Sequence, residues 1–145
     1  MAILNHEQKR FFEEQGYLLV KDAVSVEQLA ALREQFATWV RESKSHQVAY
    51  GETLDGRARF DLETGHSADK PALRRINAPT DISDYYYQVM RDSLMTDCVA
   101  DLIGPNVKFH HSKINSKLPG AATAVKWHQD FPFTPHSNSD VITAL

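Results

Sequence analysis

The chain has 145 residues, 42% hydrophobic and 24% charged, the balance of one ordinary globular domain with a real core. A net charge of −3 without a basic block gives no electrostatic footprint for nucleic acid or an acidic membrane. No apolar run reaches membrane-spanning length, "MAILNHEQKRFFEE" turns charged too soon for a signal peptide, and the single Cys98 excludes an internal disulfide and fits a reducing cytoplasm.

In chain order, "NHEQKRFFEEQG" predicts a short helix, with Asn5 as its cap and Gly16 as the left-handed residue at its end. "YLLV" (17–20) reads as a short strand. "SVEQ" (25–28) is a capping box. The helix after it carries Val26, Leu29, Leu32, Phe36 and Val40 at helical spacing and ends near Ser43. Residues 44–80 have glycines, charges and little periodicity, and read as a long loop with one short strand at most. "DISDYYYQVMRDSL" resumes the helix from Asp81 or Ser83, and its three consecutive tyrosines wrap around it, so one or two at most face the core. "TDCVADLIG" is a further helix that stops at Gly104-Pro105, with Cys98 on its apolar face as buried filler rather than a nucleophile.

After Pro105 the pattern alternates. Val107, Phe109, His111, Lys113 and Asn115 fall on one face of an expected strand. "PGAAT" is a turn, "AVKWHQD" a second strand, "FPFTPHSNSD" a Pro-rich loop and "VITAL" the start of a third strand. Helices followed by strands give an α+β class without internal repeats. The chain is expected to be one domain, 1–145, with a mainly helical part and long loop over 1–105 and the first sheet strands over 106–145.

His128 and Asp130 are the residues that carry chemistry. At i and i+2 of a strand they share a face. Neutral imidazole plus carboxylate with open positions is two-thirds of the facial triad of non-haem Fe(II) oxygenases. Such a site needs a third ligand, and a structural histidine beside a solvated aspartate is the alternative. His66, His110, His111 and His136 are the other histidines to consider, with His111 the best placed. Trp127 points away from His128 in a regular strand and is expected in the core. Phe131 and Phe133 read as pocket wall or core. A zinc hydrolase would want more histidines than these segments offer.

"WHQDFPFTPH" followed by "SDVITAL", together with "FFEEQGYLLVKDAVS", "ALRRINAP" and "LIGPNVKFHHSKINSKLPG", resembles the phytanoyl-CoA dioxygenase family of Fe(II)/2-oxoglutarate oxygenases, in the family's order over nearly the whole chain. The resemblance implies N-terminal helices followed by the first strands of a double-stranded β-helix, a cupin-like jelly-roll. It implies that His128 and Asp130 ligate Fe(II), and that polar residues at Lys113 and Asn115 contact the co-substrate 2-oxoglutarate. The alternative for that pair is a solvated strand edge. It implies O2 as oxidant, ascorbate as reductant and a small organic substrate hydroxylated at an unactivated C–H, while the charge balance gives no nucleic-acid or membrane partner. Family members that halogenate carry a small residue where Asp130 stands. Arg74, Arg75 and Asn77 are placed to reach substrate or to sit in a solvated loop. The family's second histidine and its 2-oxoglutarate-binding arginine are expected beyond Leu145, so the 145 residues read as a truncated chain that is inactive alone. The alternative function is a non-catalytic fragment or binding module that retains half of the metal site.

Overall fold

A computed structural model of the chain describes residues 3–117, 126–138 and 140–145. Two helices come first: α1 (His6–Gln15) and α2 (Val26–Ser43). Each starts with a complete capping box, Asn5 with Gln8 and Ser25 with Gln28, and Gly16 closes α1 in the left-handed region at φ 75°. The strands β1 (Tyr50–Glu52), β2 (Ala58–Leu62) and β3 (Leu73–Asn77) follow, then a 3-10 turn (Pro79–Asp81), α3 (Asp84–Arg91), α4 (Leu94–Ile103) and β4 (Lys113–Asn115). Ser83 caps α3, and α4 ends at Gly104 as the sequence predicts.

The four strands form one antiparallel sheet in the order β1-β2-β3-β4. Its register stacks Tyr50, Phe60, Ile76 and Ile114 on one face. Trp39 of α2 packs there with Phe60, Leu73 and the fully buried Ile76, and Phe36, Val40, Tyr86 and Ile114 close the edges. Burying side chains of this size stabilises by roughly 1.5–3 kcal/mol each. Only Tyr86 of the three tyrosines joins this core, while Tyr85 and Tyr87 stay exposed. Cys98 is buried, and burial first, then the Asp101 and Asp97 carboxylates, pushes its thiol up, against any role as a nucleophile.

The sequence expectation fails at several places. Residues 44–80 hold three strands instead of a loop. Their apolar alternation is confined to Ala58, Phe60 and Leu62, and a bulge disrupts it in β3. The register shifts between Asp61 and Leu62, so Arg74 is an extra residue, and Leu73 and Ile76 both reach the core although three apart. Residues 17–20 are extended but unpaired: Leu18 and Val20 are half-buried, Tyr17 and Leu19 exposed, and no described backbone hydrogen bond joins them to the sheet. The strand expected from Val107 shrinks to Lys113–Asn115. The described part of "AVKWHQD", 126–130, and "VITAL" are not strands. Trp127 stands fully in solvent rather than in the core, because no sheet neighbour carries the face it occupies. The stripe expected on α2 is also only half buried, since Val26 at 80% exposure lies beyond the sheet while Trp39, unanticipated, lies over its centre. The turn expected at "PGAAT" lies outside the described residues.

Among the described residues no helix is long and apolar enough to cross a membrane.

Candidate metal centre

His128 and Asp130 meet, but through a turn rather than strand alternation. The Asp130 carbonyl accepts the N–H groups of Phe133 at 2.9 Å and Thr134 at 3.1 Å, and the Thr134 hydroxyl at 3.2 Å. This fixes the bend and leaves the carboxylate free. Asp130 Oδ1 stands 3.4 Å from His128 Nε2, and both side chains are about half open to solvent.

The donor set fits a divalent metal. His128 Nδ1 lies 2.7 Å from the Lys126 carbonyl oxygen. A carbonyl only accepts, so Nδ1 carries a proton and Nε2 is left with a lone pair in the neutral ring. That lone pair faces a carboxylate oxygen. Two acceptors at this range repel unless a proton or a cation lies between them. Donors bound side by side on one metal at roughly 2.1 Å stand about 3 Å apart, close to this spacing. The Lys126 carbonyl therefore does for His128 what outer hydrogen-bond partners do for metal-bound imidazoles: it selects the tautomer and orients the ring.

His111 lies within electrostatic reach of Asp130. Although exposed overall, its ring is held below the ordinary histidine range, first by partial covering, then by the charges of His110, Lys113 and Arg57, while Asp130 opposes them. His110 and His111 face each other through Nδ1 at 2.6 Å. His136 instead bonds the Thr134 carbonyl through Nδ1 at 2.8 Å. His66 spans the Ser43 carbonyl at 2.9 Å and the Ala72 N–H at 2.8 Å, a structural bridge between α2 and β3. Among the described residues no group of three or more His, Cys, Asp or Glu side chains converges to hold a metal ion. Neither His111 nor any other described histidine completes a trio with His128 and Asp130.

Lys113 and Asn115 project from the face of the sheet opposite the core, both exposed, with Ile114 between them turned inward. The register builds that face in two rows. Phe60 pairs Ile76 and Asn77 pairs Lys113, so Gly51, Arg59, Asn77 and Lys113 form one row, and Asp61, Arg75 and Asn115 the other. Arg75 Nε donates to Asn115 Oδ1 at 3.1 Å. With its oxygen engaged by Arg75, Asn115 keeps its NH2 group as a donor. Arg74, on the bulge, pairs with Asp61 at 3.3 Å, and Asn77 Nδ2 donates to the Ala58 carbonyl at 2.8 Å. Arg74, Arg75 and Asn77 are therefore strand residues, not a solvated loop. Phe131 and Phe133 are exposed and stack edge-on against His136 and His128. Arg59 was not singled out from sequence, and only the strand register reveals it. A hollow of about 430 Å³ lined by Asp22, Ser25, Gln28, Asp92, Ser93 and Asp97 contains none of the sequence-predicted site residues.

Comparison with known proteins agrees with the reading of the motifs. Over 137 residues the chain is 30% identical to a protein of Stutzerimonas stutzeri named "Probable alpha-ketoglutarate-dependent hypophosphite dioxygenase", covering 94% of this chain and 45% of that protein. It is 28% identical over 149 residues to a Caenorhabditis elegans protein named "Probable phytanoyl-CoA dioxygenase", covering 97% of this chain and 46% of that protein. The chain thus spans under half the length of these curated relatives. No solved structure matches it significantly. Residues 12–145 match the family described as Phytanoyl-CoA dioxygenase (PhyH), and the chain belongs to that family.

Proposed function

We propose that the protein acts as an Fe(II)/2-oxoglutarate-dependent dioxygenase that hydroxylates an unactivated C–H of a small organic substrate. His128 and Asp130 are two of its iron ligands. The observation that carries this is the facing of His128 Nε2 and Asp130 Oδ1 at 3.4 Å, with Nδ1 occupied by a carbonyl, in a chain of this family. The names of the relatives support the co-substrate class and leave the substrate open.

Bound iron would supply O2 activation coupled to decarboxylation of 2-oxoglutarate. The chain's own residues hold and orient. His128 offers Nε2 and Asp130 a carboxylate oxygen. Lys113, the amide NH2 of Asn115 and the guanidinium of Arg75 offer donors and positive charge to a carboxylate of 2-oxoglutarate. Asp130 occupies the position that must be small for halogenation, which favours hydroxylation. Ascorbate serves as reductant, and the four-stranded sheet forms part of a jelly-roll.

Metal binding tests the pair directly. Titration with Fe(II) or Co(II) under argon, followed by its absorption spectrum, should lose at least about tenfold in affinity in His128→Ala and in Asp130→Ala. Unchanged affinity in both variants removes them as ligands. Lys113→Ala should weaken 2-oxoglutarate binding by roughly 1.5–3 kcal/mol, the loss of one charge-assisted contact. Among the described residues the 145-residue polypeptide offers iron two converging ligands, both open to water. Its 2-oxoglutarate-dependent succinate formation should not exceed that of His128→Ala, and turnover well above that control would mean a third ligand from another histidine or a partner chain. Reading the gene past the codon for Leu145 separates the enzyme from a binding module. An open frame carrying a histidine and then an arginine supports the first, and a stop codon supports the second.

A further inference from the structure

We propose that Arg59 is a positioning residue for the co-substrate face, acting through Lys113. This rests on the reading of Lys113 as a 2-oxoglutarate contact. Arg59 is a buried cation, only 8% exposed, in the cross-strand row that ends at Lys113. Its stem lies over Gly51, where a Cβ would stand 3.2 Å from Arg59 Cβ. Its guanidinium gathers three backbone carbonyls. Nη1 donates to Ala78 at 2.9 Å and Asn77 at 3.2 Å, Nη2 donates to Glu52 at 3.1 Å, and Asp81 stands 3.7 Å away.

Those bonds hold a corner that an alanine does not adopt readily. Ala78 sits in the left-handed region at φ 48°, a strained conformation for a residue with a Cβ. Turned this way, its N–H donates to the Ser112 carbonyl at 3.0 Å, and the Thr80 and Ser112 hydroxyls meet at 3.1 Å. Ser112 immediately precedes β4. The corner therefore fixes where β4 begins, and with it the pairing of Lys113 with Asn77. β4 is a three-residue edge strand held at both ends, by this corner on one side and on the other by the Ser116 N–H donating to the Arg74 carbonyl at 2.9 Å and Arg75 Nε donating to Asn115 Oδ1. A slip of one residue would turn Lys113 and Asn115 toward the core and Ile114 toward solvent. Arg59 thus places a cation it does not touch.

Two measurements on the purified protein test this. Hydrogen exchange in Arg59→Ala should rise at Ala78 and over residues 113–115 while α2 keeps its protection. Exchange that rises uniformly, or not at all, overturns the positioning role. Equilibrium binding of 2-oxoglutarate forms the second arm, as a cycle of Arg59→Ala, Lys113→Ala and the double variant. Arg59→Ala should weaken binding about tenfold in the native background and leave it unchanged once Lys113 is gone. Equal weakening in both backgrounds, or none in either while Lys113→Ala weakens, overturns the proposal. If Lys113→Ala itself has no effect, the co-substrate reading fails, and the exchange arm alone decides whether Arg59 sets β4. Arg59→Lys serves where the alanine variant does not fold. It keeps the charge but cannot span three carbonyls, so it should reproduce the exchange change, and native exchange in Arg59→Lys would overturn the clamp.

Discussion

A single side chain ties the N-terminal segment to α4. Asp101 Oδ2 accepts the backbone N–H of Leu4 at 2.7 Å and of Ile3 at 2.6 Å, and Lys9 stands 3.7 Å from Oδ1. The Leu4 bond first, then the Ile3 bond and the Lys9 charge, hold its carboxyl below the usual aspartate range against partial burial. A carboxyl whose folded value is lowered contributes stability that is complete above its unfolded value and is lost as pH falls through the folded one. Asp101→Asn should therefore lower the urea midpoint at neutral pH and flatten the acid limb of stability against pH below the ordinary aspartate range. An acid limb of unchanged steepness would contradict the role. Gly51 is constrained twice, by φ 66° and by Arg59 Cβ and Phe60 Cδ2 at 3.2 and 3.3 Å from where its Cβ would stand. Gly51→Ala should cost about 1–3 kcal/mol in urea denaturation, because strain and crowding act together.

At the scale of elements, helix boundaries follow from local chemistry. Ser25 and Gln28 exchange bonds at 3.1 and 2.9 Å, and Gln28 Nε2 continues to the Asp92 carbonyl at 3.1 Å, joining the start of α2 to the end of α3. Ser25→Ala should lower stability by about 1 kcal/mol, read from the shift in urea midpoint. The strands obey a different rule. β2 carries two core residues and β3 a bulge, so neither shows the sustained period of two that marks a strand in sequence. Residues 17–20 show the converse: strand-like residues without a paired neighbour do not make a strand, because each backbone N–H and C=O needs a partner from elsewhere.

Across the whole molecule, order is concentrated where α2 and α3 cover the sheet. The two tryptophans report on the two environments, Trp39 at 4% exposure in the core and Trp127 fully exposed beside the candidate metal pair. Acrylamide should quench the native fluorescence in two unequal components, and Trp127→Phe should abolish the accessible one. A single component would contradict this arrangement. Among the described residues, no backbone hydrogen bond links 126–145 to the four-stranded sheet. Amides there should exchange well before those of β2 and β3. Iron binding through His128 and Asp130 should slow exchange around Asp130 without altering the core.

The sequence by itself determined the four helices, the caps at Asn5 and Ser25, the burial of Cys98, the family, and the nearness of His128 to Asp130, while it left the start of α3 open between Asp81 and Ser83. These depend on residues a few positions apart, whose bonding is set by local backbone geometry, or on motifs long enough to identify relatives. Only the tertiary structure decided that residues 44–80 hold three sheet strands, that Arg75 bonds Asn115, that Arg59 gathers the carbonyls of Glu52, Asn77 and Ala78, and that Trp127 lies in water. Each of these depends on which strand lies beside which and in what register. Pairing of β3 with its neighbours brings together residues 11 to 40 positions apart, and no short stretch of sequence holds both partners.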